Sequence, residues 1–114
     1  EVIEREDLVE NAARVGAHAL DRLHDMQRRH PVIGDVRGRG LFFGLEVVSD
    51  RATKAHDGAT ASAVVNEALA LGVLMGTDGP FDNVVKLRPP MTTTRAHADL
   101  LVDVLDRAFT AATR

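Results

Sequence analysis

The sequence predicts a small α/β domain, α+β-like in character, whose mostly antiparallel sheet of three to four strands is covered by helices on one face. Three observations predict it. The length, 114 residues, is enough for one domain and too short for two. The composition, 45% hydrophobic and 27% charged, is that of an ordinary globular domain. The hydrophobic period switches along the chain in the order α-β-β-α-β-β-α, which places one sheet beneath helices.

The first element is an amphipathic helix over residues 8 to 29. Its apolar positions recur at intervals of three and four, which lines one face of a helix. These positions are Leu8, Ala12, Val15, Ala19, Leu23 and Met26. The helix is expected to end at His30-Pro31, because proline restricts the preceding residue to extended conformations. Residues 1 to 5 are expected to be the tail of a preceding helix.

Two strands and a loop follow the first helix. Residues Ile33 to Gly38 are predicted to be extended, and Gly38-Arg39-Gly40 is predicted to turn, since glycine can supply a positive φ. The run Leu41 to Val48 alternates large apolar residues with others, which predicts a mostly buried strand. The polar segment Ser49 to Gly58 is interpreted as a loop.

The middle of the chain returns to a helical period. Thr60 to Leu71 is predicted to be a helix, and Gly72 is placed where a glycine commonly ends one. A short strand is predicted over Val73 to Gly76. The residues Thr77 to Pro80 have the composition of a turn.

The last two elements are a strand and a helix. Val84 to Arg88 is predicted to be a strand that ends at Pro89-Pro90, because proline cannot donate to a sheet ladder. Thr93 or Thr94 is expected to cap the final helix, although His97 stands where a capping box has glutamate. Its apolar stripe is Ala98, Leu101, Val102, Leu105, Phe109 and Ala112.

Composition and charge exclude several classes of function. The net charge is −3, and the chain has no Trp or Tyr, so neither a basic footprint nor a base-stacking platform for nucleic acid is expected. No apolar run approaches the roughly 18 residues of a membrane span. The chain has no cysteine, and its acidic start lacks the pattern of a signal peptide. A cytoplasmic protein without nucleic-acid or membrane partners is therefore expected.

A metal site and a dinucleotide-binding loop are also not expected. The five histidines are scattered over predicted helix faces and loops, and none forms the paired spacing of a metal site, so solvated surface positions are expected for them. These are His18, His24, His30, His56 and His97. The glycines between Gly34 and Gly44 precede a strand, whereas a dinucleotide-binding loop precedes a helix.

Two cations on the last predicted strand suggest an anion site. Alternation places Lys86 and Arg88 on the same face of that strand. Like charges so close repel each other unless an anion or an acidic partner neutralises them. A substrate carboxylate or phosphate would do so, and the planar fork of arginine suits it. The alternative is that both face water or pair with Asp and Glu side chains of this chain.

The motifs together resemble one enzyme family over essentially the whole chain. The string from His30 to Glu46, HPVIGDVRGRGLFFGLE, resembles the segment that opens the C-terminal small domain of class III aminotransferases. The strings Gly72 to Pro80 and Asn83 to Met91 resemble the rest of that domain. The helix around Leu8 to Ala12 resembles the one leading into it. Residues 1–114 are thus expected to be that single domain, and residues 1–30 the helix joining it to a large domain.

The resemblance implies a two-domain subunit that works as a homodimer. In the family, the large domain holds the lysine that forms a Schiff base with pyridoxal phosphate. The small domain closes over the substrate and contributes an anion-binding cation. By position Lys86 and Arg88 match that element, and family members differ in which position holds the working cation. The Gly38-Arg39-Gly40 turn resembles a loop near the substrate entrance, which adds Arg39 as a candidate. The resemblance assigns no catalytic or cofactor-binding residue to this chain.

The scarcity of lysine has a consequence in this context. The only lysines are Lys54 and Lys86, and neither lies in the family's lysine motif. We predict that the 114-residue chain alone neither forms the Schiff base nor transaminates. Because one domain is all that fits into this length, the chain is expected to be part of an enzyme whose missing large domain binds pyridoxal phosphate.

Three functions remain open from the sequence. The first is the C-terminal part of an aminotransferase that moves an amino group from an amino acid or ω-amine to a keto acid. The second is a phospholyase of the same family, acting on a phosphorylated amine. The third is a free-standing, non-catalytic module that binds a small anion or a partner. A domain separated from its large domain should expose an apolar patch of more than a few hundred Å², whereas a module should not.

Overall fold

A computed structural model describes the backbone of residues 5–113 and the side chains of residues 7–113. The helical tail expected over residues 1 to 5 lies, apart from Arg5, outside them. Within residues 5–113, three helices and five strands follow one another. They are α1 (Arg5–Arg29), β1 (Ile33–Arg39), β2 (Phe42–Asp50), β3 (Ala55–His56), α2 (Gly58–Ala70), β4 (Gly76–Asp78), β5 (Val84–Leu87) and α3 (Arg95–Ala112).

All strand pairs are antiparallel. Four strands form the order β1-β2-β5-β4, and β3 pairs with the end of β2. The predicted antiparallel sheet is confirmed, but it has five strands where three to four were expected. The additional strand, β3, has two exposed residues inside the segment interpreted as a loop. Such a short exposed strand shows no hydrophobic alternation from which it could be recognised.

The helices cover one face of the sheet, as expected. Alternate side chains of β2 and β5 point into a single core that the three helices complete. Helix α1 packs on β1, α2 packs on β5, β2 and β4, and α3 packs on α1 and α2. The opposite face of the sheet has no helix on it among the described residues. We call it the open face, and it consists of the outward side chains of β1, β2, β4 and β5.

The turn between β1 and β2 lies later than predicted. Gly38 and Arg39 still belong to β1, and Arg39 pairs with Phe42, so the turn consists of Gly40 and Leu41. Gly40 has a φ of +57°, a left-handed conformation that glycine adopts readily. Helix α1 lies directly on this turn, because a Cβ built on Gly16 would stand 1.9 Å from the carbonyl oxygen of Gly40. Position 16 therefore has room only for glycine.

The short strand predicted at Val73 to Gly76 is displaced. Strand β4 begins at Gly76 and includes Thr77 and Asp78, which were interpreted as a turn. The N–H of Val73 instead donates to the carbonyl of Ala68 and completes the end of α2. Gly72, with a φ of +89°, confirms the predicted stop signal. Cross-strand pairing with β5, the next strand along the chain, decides where β4 lies.

Helix α3 agrees closely with its sequence pattern. Thr94 caps it, since its hydroxyl accepts a hydrogen bond of 3.2 Å from the N–H of His97. Most of the predicted stripe is buried, and Leu101 and Ala112 are partly buried at its margin. No described helix is long and apolar enough to cross a bilayer.

Ionic contacts join α1 to α3 along their solvent side. Nε2 of His18 lies 2.6 Å from Oδ1 of Asp99, and the guanidinium of Arg22 lies 3.0 Å from Asp99 and 2.9 Å from Asp103. The hydrogen bonds from His18 and then from Arg22 lower the pKa of Asp99. The two helices are therefore held by carboxylates that must remain ionised.

His30 corrects one expectation from the sequence. It was expected at the surface, but it is only 8% exposed and lies 5.6 Å, centroid to centroid, from the ring of Phe109. Its Nε2 lies 2.7 Å from Oδ1 of Asp106, the partner that a buried imidazole requires. Burial raises the pKa of Asp106, but contacts with His30 and Arg29 outweigh it, and the net pKa is lowered.

We predict that acid weakens the domain through these aspartates. A carboxyl whose folded pKa is lowered stabilises the fold above its unfolded pKa of about 3.9, and this stabilisation is lost as the pH falls through the folded value. The free energy of unfolding should therefore drop below about pH 4. Urea unfolding of the chain at a series of pH values measures it.

The variant Asp99→Asn with Asp106→Asn should be less stable at neutral pH and should lose less stability in acid. The matched control is Asp21→Asn, since Asp21 is exposed on α1 and forms no ion pair within residues 7–113. Identical acid profiles for the double variant and the unchanged chain would contradict the assignment.

A second prediction concerns the contact between α1 and the β1–β2 turn. Gly16→Ala should lower the free energy of unfolding by at least about 1–3 kcal/mol, because the added methyl meets rigid backbone. Gly76→Ala is the control, since a Cβ there has nothing within 4 Å. Chemical denaturation compares the two variants. If both substitutions changed the free energy of unfolding equally, the close approach of Gly16 to Gly40 would not contribute to stability.

Candidate functional site

The antiparallel register arranges the outward side chains of the open face in rows. Arg39 of β1 stands opposite Phe42 of β2. Phe43 stands opposite Leu87, so Phe42 in turn faces Arg88, the residue that follows β5. Directly opposed residues of antiparallel strands point to the same side. Arg39, Phe42 and Arg88 therefore form one row across the sheet, which we call row 1.

Two further rows run parallel to row 1. In row 2, Arg37 stands opposite Gly44, which stands opposite Lys86. In row 3, Asp35 stands opposite Glu46, followed by Val84 and then Asp78. Rows 1 and 2 hold the cations of the open face, and row 3 holds its acids.

The acids of row 3 neutralise the cations of row 2. Nε of Arg37 lies 2.8 Å from Oδ2 of Asp35, and its Nη2 lies 3.5 Å from Oε2 of Glu46. Nζ of Lys86 lies 3.1 Å from Oδ2 of Asp78. The backbone N–H of Gly79 and then Lys86 lower the pKa of Asp78, so this partner remains ionised. Row 2 has little net charge left to offer a ligand.

The arginines of row 1, unlike the cations of row 2, are not neutralised by acids of the described chain. Neither Arg39 nor Arg88 forms an ion pair with any carboxylate in the part of the chain that the structure describes. The carbon Cζ of Arg88 lies 4.6 Å from the centroid of the Phe42 ring, and Nζ of Lys86 lies 5.7 Å from it. A ring face attracts a cation without taking up its N–H donors. The donors of Arg88 remain available to an anion.

Cavities lie on both sides of Phe42. One, of about 320 Å³, lies over Gly44 between Phe42 and Val84, with Arg37, Arg39 and Glu46 around it. Another, of about 490 Å³, extends from row 1 toward α1. It is lined by Val9, Ala12, Ala13, Arg39, Gly40, Leu41, Phe42, Arg88, Pro89 and Met91. The second cavity combines both arginines of row 1 with an apolar wall, a composition suited to a small organic anion.

An apolar groove of about 530 Å³ adjoins the row on its other side. Leu74 and Leu100 in this groove are 82% and 60% exposed. Val9 and Met91 in the arginine-lined cavity are also exposed. Apolar side chains of this size are exposed together mainly where another surface covers them. Arg88 lines both the groove and the cavity.

The structure brings the three residues selected from the sequence to one face. Lys86 and Arg88 both contact the ring of Phe42, and Arg39 lies at the other end of row 1. The alternative in which acids of this chain neutralise the cations holds for Lys86, through Asp78. It does not hold for Arg88 among the described residues.

Two residues of this face were not identified from the sequence. Phe42 falls on the polar side of the β2 alternation, where an aromatic ring is unexpected, and that position was an available signal. Asp78 was assigned to a turn, and no local signal connects it with Lys86. Its partnership depends on the pairing of β4 with β5.

The surroundings of Lys54 and Lys86 differ from those of a Schiff-base lysine. Lys54 is exposed in the segment after β2, with a φ of +55°, and Lys86 is held by Asp78. Neither has the dry, enclosed setting that a Schiff-base lysine needs, so these residues do not fit the covalent site of pyridoxal phosphate. No group of three His, Cys, Asp or Glu side chains within residues 7–113 is arranged to hold a metal ion.

Comparison with known proteins gives a consistent result. A family model described as "Aminotransferase class-III" matches residues 1–109. The alanine–glyoxylate aminotransferase 2 homolog 2, mitochondrial, of Arabidopsis thaliana is 45% identical over 105 residues, which are 92% of this chain and 22% of that protein.

Two solved structures show the same relationship. A phospholyase from Arthrobacter in complex with phosphoethanolamine superposes with a TM-score of 0.88 at 34% identity, over 94% of this chain and 25% of that one. An amine transaminase from an uncultivated Pseudomonas species, in its PLP-bound form, gives 0.84 at 40% identity, over 94% and 24%. The chain thus spans about a quarter of the length of these proteins.

Proposed function

The chain belongs to the class III aminotransferase family, and we propose that it is the C-terminal small domain of a pyridoxal-phosphate-dependent aminotransferase. The complete protein would transfer an amino group from an amino acid or ω-amine to a keto acid. The family match over residues 1–109, on a chain that spans about a quarter of its relatives, is the observation that supports this proposal. In this proposal, residues 1–30 lead in from the large domain.

The proposed task of the domain is to bind the anionic end of the substrate. The names of the relatives include alanine and glyoxylate, both carboxylates, and phosphoethanolamine, a phosphate ester. Row 1 offers two arginines without acidic partners in the described chain, beside an apolar wall. We assign the anion to Arg88, with Arg39 beside it, and give Lys86 a supporting role because Asp78 already pairs with it. Holding one end of the substrate orients the other end for reaction.

The rest of the proposed protein supplies what this domain lacks. Pyridoxal phosphate provides the electron sink of the family's chemistry, and a lysine outside this chain would hold it. The exposed apolar groove around Leu74 and Leu100 supports docking against a large domain of the same enzyme. We further propose a homodimer and a cytoplasmic location, with which the absence of cysteine agrees.

A phospholyase acting on a phosphorylated amine is the second candidate function. It is favoured by the paired arginines of row 1, which suit a dianion, and the Arthrobacter phospholyase in complex with phosphoethanolamine has the same fold. Assays of the complete protein separate the two functions. Pyruvate or glutamate formation supports the aminotransferase, and release of inorganic phosphate from phosphoethanolamine supports the phospholyase.

The 114-residue chain should be inactive by itself. When it is mixed with pyridoxal phosphate and reduced with borohydride, mass spectrometry should find no stoichiometric adduct at Lys54 or Lys86, and no amino transfer should occur. The complete protein under the same conditions should give one adduct outside this chain. A stoichiometric adduct together with activity in the isolated chain would refute the assignment.

The two cations of the last strand should differ in the complete protein. Arg88→Gln should raise the KM for an anionic substrate about tenfold or more, because a charge-assisted hydrogen bond contributes about 1.5–3 kcal/mol. Lys86→Gln should raise it much less, since Asp78 already neutralises Lys86. Steady-state kinetics measures both. Arg107→Gln, on the exposed side of α3, is the control. A larger effect at Lys86 than at Arg88 would reverse the assignment.

A further inference from the structure

We propose that Phe42 is a positioning residue that holds Arg88 ready for the anionic end of the substrate. The inference rests on the proposed anion-binding role of Arg88 and deepens it by naming the group through which the arginine is oriented. Phe42 itself need not touch the ligand. Its effect is on the side chain that does.

The position of the ring supports this inference. Phe42 is 37% exposed on the open face, although its neighbours Phe43 and Leu45 are buried. It does not fill the core. Its ring faces Arg88 at 4.6 Å and Lys86 at 5.7 Å, so two cations approach one aromatic ring. That ring also lines both the cavity over Gly44 on the open face and the cavity that extends from row 1 toward α1.

The same sheet shows what a different neighbour would do. Arg37 and Lys86 are each held by carboxylates, and these contacts occupy their donors and cancel their charge. An aromatic ring attracts the cation with its quadrupole but accepts none of its in-plane N–H donors. Arg88 is therefore restrained while its charge and its donors stay available. A carboxylate at position 42 would also restrain Arg88, but it would occupy the N–H donors and cancel the charge that an anion needs.

Restraint matters because arginine is a long and flexible side chain. An arginine that is already held in its binding orientation loses less conformational entropy when an anion binds. Asp78 neutralises the neighbouring cation Lys86, so Arg88 is the cation on this ring whose charge stays available.

The test is made in the complete protein. Phe42→Leu should raise the KM for the anionic substrate, and the inhibition constants of acetate and inorganic phosphate, by roughly twofold to thirtyfold. The kcat at saturating substrate should change little. Phe42→Trp should keep the KM near its original value, because indole binds cations at least as well. The proposal would be overturned if Phe42→Leu and Phe42→Trp changed the KM equally, or if Phe42→Leu left the KM unchanged.

Two further measurements keep the result decisive. If Phe42→Leu does not fold, fluorinated phenylalanines at position 42 keep the shape while weakening the ring's attraction for cations, and the KM should rise with each fluorine. A KM that stays the same as fluorines are added overturns the proposal. In a double-mutant cycle, Phe42→Leu should add nothing once Arg88→Gln is present, whereas a purely structural role would still add its own effect.

The cycle also separates this inference from the proposed function. If Arg88→Gln leaves the KM and both inhibition constants unchanged, the anion-binding role of Arg88 is wrong, and the role of Phe42 is overturned with it. If Arg88→Gln raises them and Phe42→Leu does not, only the role of Phe42 is overturned.

Discussion

The open face depends on the register between β1, β2 and β5. That register places Arg39, Phe42 and Arg88 in one row and places the acids four residues further along the strands. A slip by one residue would turn every outward side chain of a strand toward the core. The core resists such a slip, because Phe43, Leu45 and Val85 are fully or almost fully buried. Packing on one side of the sheet thus determines the chemistry on the other.

Charge is distributed unevenly over that face for a physical reason. A sheet that presents four cations must neutralise some of them, and row 3 does so for Arg37 and Lys86. The row farthest from the acids retains its charge, next to an aromatic ring and an apolar wall. The net charge of the open face therefore changes from nearly neutral at rows 2 and 3 to positive at row 1. A small anion would be attracted to row 1, next to which the exposed apolar groove also lies.

The periodic patterns within single elements predicted much of this domain, and pairing between strands decided the rest. The apolar stripes of α1 and α3 and the alternation of β2 follow from residues near each other in sequence. The position of β4 follows from its partner β5, and β3 exists only because β2 extends to meet it. For the site, alternation alone placed Lys86 beside Arg88. The contacts of Phe42 and Asp78 join separate strands, so no single stretch of sequence reveals them.

The ion pairs of β1 have a consequence for solubility. β1 is an outer strand of the sheet, and seven residues of its backbone border a side without a strand partner in the described chain. Exposed edges of this length can pair with the edges of other molecules and start aggregation. Asp35, Arg37 and Arg39 place a charged side chain at every second position of this strand, and a second copy aligned on its edge would have to desolvate them. The charged side chains of β1 therefore also protect this edge of the sheet from pairing with another molecule.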